Sequence, residues 1–168
     1  HLDKAKPGFA EPVPALKSRT ASLRVRSMKT ANERVAGNTA NTLAGRIRAG
    51  ENMFNLFCTG CHGPEGQGIV NIGPTLHSDW VAGDRANLVK ALLHGLTGEI
   101  KINGKLHHFE APMPAFGEAL GDYEIAAILS FVRTRWSDDK AGVPIEFVQK
   151  VRAAEKGKTG PYEAKDLR

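Results

Sequence analysis

The sequence predicts a small all-α domain of three to four helices, flanked by an irregular N-terminal arm and a C-terminal tail. Three observations predict it. Ile47, Gly50, Met53, Phe54 and Phe57 follow the i, i+3, i+4, i+7 spacing of an amphipathic helix. Ile125, Ile128, Leu129, Val132 and Trp136, with Phe131 adjoining, repeat that spacing towards the other end. Both cysteines fall in one pentapeptide, Cys58-Thr59-Gly60-Cys61-His62, between a helical stretch and a glycine-rich loop.

The 168 residues suffice for one domain of ~100 residues with extensions. Residues 1–44 read as a basic N-terminal arm, extended or partly helical. Pro7, Pro12 and Pro14 hold residues 1–20 extended, and Gly37 with the Thr and Asn content weakens a loose helix over 21–44. The central domain runs over residues 45–137. Its first helix starts at about Gly45 and delivers Cys58. Gly63–Gly73 is a loop that ends at Pro74. Asp84–Gly95 is a second helix with Leu88, Ala91 and Leu92 on one face. Leu96–Pro114 is mostly irregular, with a hairpin around Asn103-Gly104. A third helix spans about Asp122 to Trp136. Residues 138–168 form a C-terminal extension with one short helix over Pro144–Ala154. Pro144 sits in its first turn, and Phe147, Val148 and Val151 share a face. The rest is a tail pinned by Tyr162 and Leu167.

Charge is unevenly spread. Residues 1–50 hold ten Lys/Arg and three Asp/Glu, a net of +7, and residues 51–168 carry a net of −2. The arm is a solvated segment or a docking segment for an acidic partner or a phospholipid surface. Nucleic acid is not expected as a partner, because no aromatic residue lies between Phe9 and Phe54. No stretch approaches the ~20 apolar residues of a membrane span, so membrane contact is expected only through the arm or a complex. The chain begins with His1 instead of Met and is read as a processed product or an excised fragment. His1 is read as marking the cut, and not as a copper ligand.

The pentapeptide is C-x-x-C-H, the attachment site of a covalent c-type haem. Two thiols form thioether bonds to the two vinyl groups of one porphyrin. The two intervening residues turn the backbone so that both sulfurs reach the same macrocycle. His62 is then placed beneath the iron as proximal ligand. A redox C-x-x-C opens a helix after a strand, whereas here a helical stretch precedes it. A structural zinc site needs four ligands, and no second Cys/His pair exists. One haem c, covalent through Cys58 and Cys61, is therefore the expected cofactor, and no disulfide is expected. Haem c attachment belongs to the outer side of an energy-transducing membrane, so the expected location is periplasmic or equivalent.

One His leaves the sixth iron position to be filled. Met53 lies one turn before Cys58 and cannot swing to the far side of the ring. Met28 lies in the weakly structured arm. Met113 sits in Ala111-Pro112-Met113-Pro114-Ala115-Phe116-Gly117, with prolines on both sides that restrict the backbone. A thioether suits a soft metal centre, and His/Met ligation raises the reduction potential. Met113 is the leading candidate, and His94, His107 and His108 are the alternatives. Leu76, Trp80, Leu88, Leu92, Phe116, Ile128 and Leu129 are candidates for the apolar wall of the ring. The indole donor of Trp80 is a candidate partner for a haem propionate, as are Arg85 and Lys105.

With these residues in view, the segment 45–137 resembles a class I cytochrome c. Gly50, Phe54 and Cys58 are spaced four apart. In that family the glycine lets the N-terminal helix cross the C-terminal helix closely and the aromatic packs at the crossing. Ile128 and Phe131 match the facing positions. Gly73-Pro74-Thr75-Leu76 resembles the family loop whose proline carbonyl orients the haem histidine, a role the resemblance gives to Pro74. Met113 matches the distal methionine. The resemblance implies a cytochrome c fold of three to four helices wrapped around one covalent haem. Leu93-His94-Gly95-Leu96, Met113-Pro114-Ala115-Phe116-Gly117 and Glu124-Ile125-Ala126-Ala127 are similar to bacterial haem domains serving periplasmic dehydrogenases. So, less strongly, are Val151-Arg152-Ala153-Ala154 and Lys158-Thr159-Gly160-Pro161-Tyr162.

The expected function is periplasmic electron transfer by a single haem cycling between ferric and ferrous states, with no catalytic residues. Its partners would be redox proteins: a donor dehydrogenase or respiratory complex, and an acceptor oxidase or reductase. One alternative is a dedicated haem subunit of a larger assembly, anchored through the arm. A haem gas sensor or peroxidase, in which Met113 dissociates, is another.

Overall fold

The computed structural model describes residues 42–167. The expectations for His1, Met28 and most of the basic arm lie outside the described residues. Helix α1 spans Leu43–Phe57, and the single turn α2, Thr59–His62, follows directly. Thr42 caps α1 by accepting a hydrogen bond from the Gly45 amide at 3.1 Å. A second short turn, α3, covers Asp79–Ala82, and α4 covers Arg85–His94, capped by Asp84. Next come β1 (Leu96–Thr97), β2 (Ile100–Ile102) and β3 (Lys105–His107). Helix α5 spans Asp122–Trp136 and α6 spans Ile145–Ala154. The chain ends with β4 (Tyr162–Glu163) and a 3₁₀ turn over Ala164–Leu167. The architecture is all-α, with four two- or three-residue strands as fittings.

The crossing of α1 and α5 organises the core. A Cβ built on Gly50 would lie 1.9 Å from the Ala127 carbonyl oxygen, so only glycine permits this approach. Beside the crossing, Phe54 packs against Phe131 at 5.5 Å and Trp136 at 5.0 Å between ring centroids. Helix α5 is buried on nearly all sides from Ile125 to Arg133. Its acidic residues Asp122 and Glu124 open it and Arg133 and Arg135 close it, in accord with the helix dipole. The far side of this core is closed by Val143, Val148 and Val151, so the segment beyond Trp136 packs on the same helices.

Arg133 is 5% exposed, and its Nε and Nη1 are both partnered. It donates to the carbonyls of Val81 and Gly83 at 2.7 and 2.8 Å and pairs with Asp139 at 2.9 Å. The Ala141 amide holds the Asp139 carboxyl below its ordinary value of 3.8; burial opposes this, and Arg133 reinforces it. Because the folded value is the lower one, this stabilisation is full above pH 3.8 and disappears as pH falls through the folded value. Asp139→Asn is expected to lower stability at neutral pH by about 1 kcal/mol. In denaturant titrations the deficit should close in strong acid.

Between α4 and α5 the chain forms a hairpin, β2 with β3, turning through Asn103-Gly104 with both residues at positive φ. Asn103 ties this turn to the start of α3. Its side chain accepts from the Asp79 amide at 2.9 Å and donates to the His77 carbonyl at 2.9 Å. Strand β1 lies elsewhere. It pairs in parallel with β4, Leu96 opposite Tyr162 and Thr97 opposite Glu163. On its other side Leu96 bridges to Met113. Among the described residues no helix is long and apolar enough to cross a membrane.

Candidate functional site

A cleft of about 380 Å³ opens beside the pentapeptide. Cys58, Cys61 and His62 line it together with Gly73, Pro74, Pro112, Met113, Pro114 and Phe116. The Cys58 amide continues the α1 ladder to the Phe54 carbonyl at 2.8 Å. The tight turn α2 then brings Cys61 and His62 round to the same opening. This is the physical content of the two-residue spacing: the helix end fixes one thiol and the turn returns the second.

His62 is oriented by a single bond. Its Nδ1 lies 2.9 Å from the Pro74 carbonyl oxygen, and a carbonyl can only accept, so Nδ1 carries the proton. The lone pair is therefore left on Nε2. Burial lowers the imidazole pKa against the opposing effect of the Pro74 carbonyl, which favours the neutral ring a metal needs. The resemblance gave Pro74 the role of orienting the haem histidine, and its carbonyl is the group that Nδ1 meets.

Met113 is held by its backbone. Its amide donates to the Leu96 carbonyl at 2.9 Å and its carbonyl accepts from the Leu96 amide at 3.1 Å. Gly95, at φ +82°, ends α4 there, and a Cβ on it would approach the Met113 carbonyl to 2.6 Å. The methionine loop thus rests on a position that only glycine can occupy. Prolines on both sides add rigidity.

The cleft suits haem c. Neither cysteine is in a disulfide. Burial first, and then the neighbouring Cys61, push the Cys58 thiol up to about 12. A thiol raised so far is no thiolate nucleophile, which disfavours dithiol redox chemistry. Among the described residues no group of three or more His, Cys, Asp or Glu could hold a metal ion, so a zinc site has no ligand set. Two thiols, one oriented imidazole and one thioether around one apolar opening are the donors a covalent haem requires.

Other site candidates fall differently. Trp80 does not line the cleft. Its indole donates to the Lys101 carbonyl at 2.9 Å and its ring packs with Ile100, Ile102 and Ala164. The propionate role read for it is therefore replaced by a bond within the protein. Arg85 donates to the Gly142 carbonyl and lies over Phe147, and Lys105 is on the exposed hairpin. Of the apolar wall only Phe116 reaches the cleft; Leu76, Leu88, Leu92, Ile128 and Leu129 belong to the helical core behind it. Phe57, Ile72, Leu96, Ile100 and Phe109 line the cleft in their place. Alternation of Ile100 and Ile102 was the available signal for a buried strand face, of which Ile100 reaches the cleft. His94 faces Glu155 and Tyr162, and His107 stacks on Phe109, while His108 lines the cleft.

A helical fold that gathers C-x-x-C-H and a proline-flanked methionine on one cleft defines a covalent haem protein. The family model described as cytochrome c matches residues 47–136, and the chain belongs to the cytochrome c family. Its cofactor is accordingly haem c, and the function of that family is haem-based electron transfer. The chain is similar to a cytochrome c-552 of Thermus thermophilus, 38% identical over 88 residues that cover 49% of this chain and 65% of that protein. It is also similar to a cytochrome c6 of Gracilaria tenuistipitata var. liui, 33% identical over 95 residues, 56% of this chain and 78% of the relative. A cytochrome c6 of Alaria esculenta is 33% identical over 89 residues, 53% of this chain and 91% of its own length. The chain spans just under two thirds of the first of these, at 65%.

Proposed function

We propose that this protein is a monohaem electron carrier of the periplasm or an equivalent compartment, with His62 and Met113 as the two axial ligands. The observation that supports the reading is that His62 and Met113 line one cleft, each fixed by backbone carbonyls and amides. Bound haem supplies a one-electron couple and the protein supplies its surroundings. Cys58 and Cys61 tether it covalently. Burial keeps the imidazole neutral, the Pro74 carbonyl directs it, and Leu96 keeps the thioether in reach. Phe57, Leu96, Ile100, Phe109 and Phe116 exclude water, which reduces the reorganisation that accompanies a change of charge.

The partners are donor and acceptor redox proteins. Cys61 is exposed, and large apolar residues stand exposed nearby in the chain: Leu56 at 74%, Phe57 at 43%, Val70 at 86% and Ile72 at 48%. An apolar surface beside the cofactor suits brief encounters through a small interface. Residues 45–137 are read as the haem-binding domain and 138–168 as its C-terminal extension. A second reading, favoured by the net charge of +7 in residues 1–50, makes the chain a dedicated subunit anchored by its basic arm. Deleting residues 1–41 would then abolish assembly without changing the haem spectrum.

With His62 and Met113 as ligands, the reduced haem would bind an exogenous ligand only by displacing Met113. Exposure of the reduced protein to carbon monoxide at neutral pH is expected to leave its visible spectrum unchanged. Stoichiometric carbon monoxide binding would overturn the carrier reading in favour of a sensor or a peroxidase.

A further inference from the structure

We propose that Tyr162 is a positioning residue for the methionine loop: the tail strand it anchors holds β1, and through β1 the Met113 backbone, at the cleft. This rests on the reading of Met113 as the sixth ligand. Strand β1 is the middle of three backbone segments. The Gly95 carbonyl accepts from the Tyr162 amide at 3.1 Å, while the Leu96 amide and carbonyl both serve Met113. Because successive backbone groups alternate sides, one edge of this two-residue strand is spent on the tail and the other on the methionine. Without the tail, β1 would be a single bridge with an open edge, too short to persist alone.

The Tyr162 side chain fixes the tail at β4, while buried Ala164 and Leu167, whose carbonyl accepts from Asn87, hold it beyond. The Tyr162 hydroxyl donates to Glu155, the residue that ends α6. Its ring meets His94 edge-on at 5.8 Å, and the ammonium groups of Lys158 and Lys90 lie over it at 4.6 and 5.7 Å. Glu155 also faces Lys90 at 3.5 Å and His94 at 3.7 Å. Four residues from α4, α6 and the tail thus converge on one phenol. Burial and then Glu155 push that phenol up to about 12, which keeps it a donor at neutral pH. Burial opposes ionisation of Glu155, but the Tyr162 hydroxyl and Lys90 outweigh it and hold the carboxyl below its usual value.

The turn Gly157–Pro161 is set apart from the methionine loop. A groove of about 960 Å³ separates the turn Gly157–Pro161 from Pro112, Met113 and Pro114. Support from the tail therefore reaches the methionine through β4 and β1, with Tyr162 at the joint.

The test uses the full-length haem-loaded protein and imidazole, a probe that binds the oxidised iron only when Met113 leaves it. Tyr162→Ala is expected to tighten imidazole binding about tenfold, the factor expected for loss of one or two hydrogen bonds and their ring contacts. Tyr162→Phe keeps the ring and the backbone pairing, and should tighten it by only about threefold. Far-ultraviolet circular dichroism reports whether each variant is folded. Unchanged imidazole affinity in folded Tyr162→Ala overturns the proposal. If that variant does not fold, unchanged affinity in Tyr162→Phe does so. If the parent protein itself lacks the near-infrared band of a thioether on ferric haem, the ligand reading fails and this inference fails with it. A parent with the band and variants with unaltered affinity overturn the inference alone.

Discussion

Met113→Ala is expected to lower the reduction potential by on the order of 0.1 V or more, a fraction of the ~0.8 V over which axial ligands set haem potentials. The reason lies in ligand softness. A thioether favours the reduced iron, and its loss removes that preference. The backbone should hardly change, since the Leu96–Met113 bonds are main-chain bonds that alanine retains. A spectroelectrochemical titration of the parent and the variant measures the shift directly. The variant should also bind carbon monoxide when reduced, where the parent does not. An unshifted potential would remove Met113 from the iron and turn attention to His108, the histidine that lines the same cleft.

Gly50→Val is expected to cost about 3 kcal/mol or more of stability, at the upper end of what overpacking does. A Cβ there meets the Ala127 carbonyl oxygen at 1.9 Å and its carbon at 2.5 Å, both rigid backbone atoms of a buried helix. Neither α1 nor α5 can yield without disturbing Phe54, Phe131 and Trp136, which interlock beside the crossing. Since α1 also delivers Cys58, the displacement should lower the yield of haem-loaded protein. Denaturant unfolding of Gly50→Ala and Gly50→Val provides the check. A loss below about 0.5 kcal/mol in both would contradict the tight crossing.

The long helices were legible in the sequence for definite reasons. Helix α5 shows its apolar spacing over 15 residues and ends at Asp122 and Trp136, the bounds expected from its pattern. The hairpin turn was legible because Asn103-Gly104 suits a turn with two positive φ angles. Helix α3 was not, since four residues carry no period, and it depends on the Ser78 cap and on Asn103. Strands β1 and β4 were hidden likewise: two residues cannot alternate visibly, and they find each other across 66 positions of sequence. The cleft wall was read less well than the helices. Periodicity shows that Leu92, Ile128 and Leu129 are buried, but not that they face other helices instead of the cofactor. Trp80 shows the same limit from the polar side. A buried indole needs an acceptor, and the one it found is the Lys101 carbonyl of a strand beyond local reach.

The measurement that bears most directly on the account is the near-infrared and visible spectrum of the oxidised protein, taken beside that of Met113→Ala. The account predicts a low-spin haem c with the weak near-infrared band of a methionine sulfur on ferric iron, present in the parent and absent from the variant. A low-spin parent without that band would mean that a nitrogen ligand such as His108 occupies the sixth position. A high-spin parent would mean an open iron, and would contradict the electron-carrier reading at its centre.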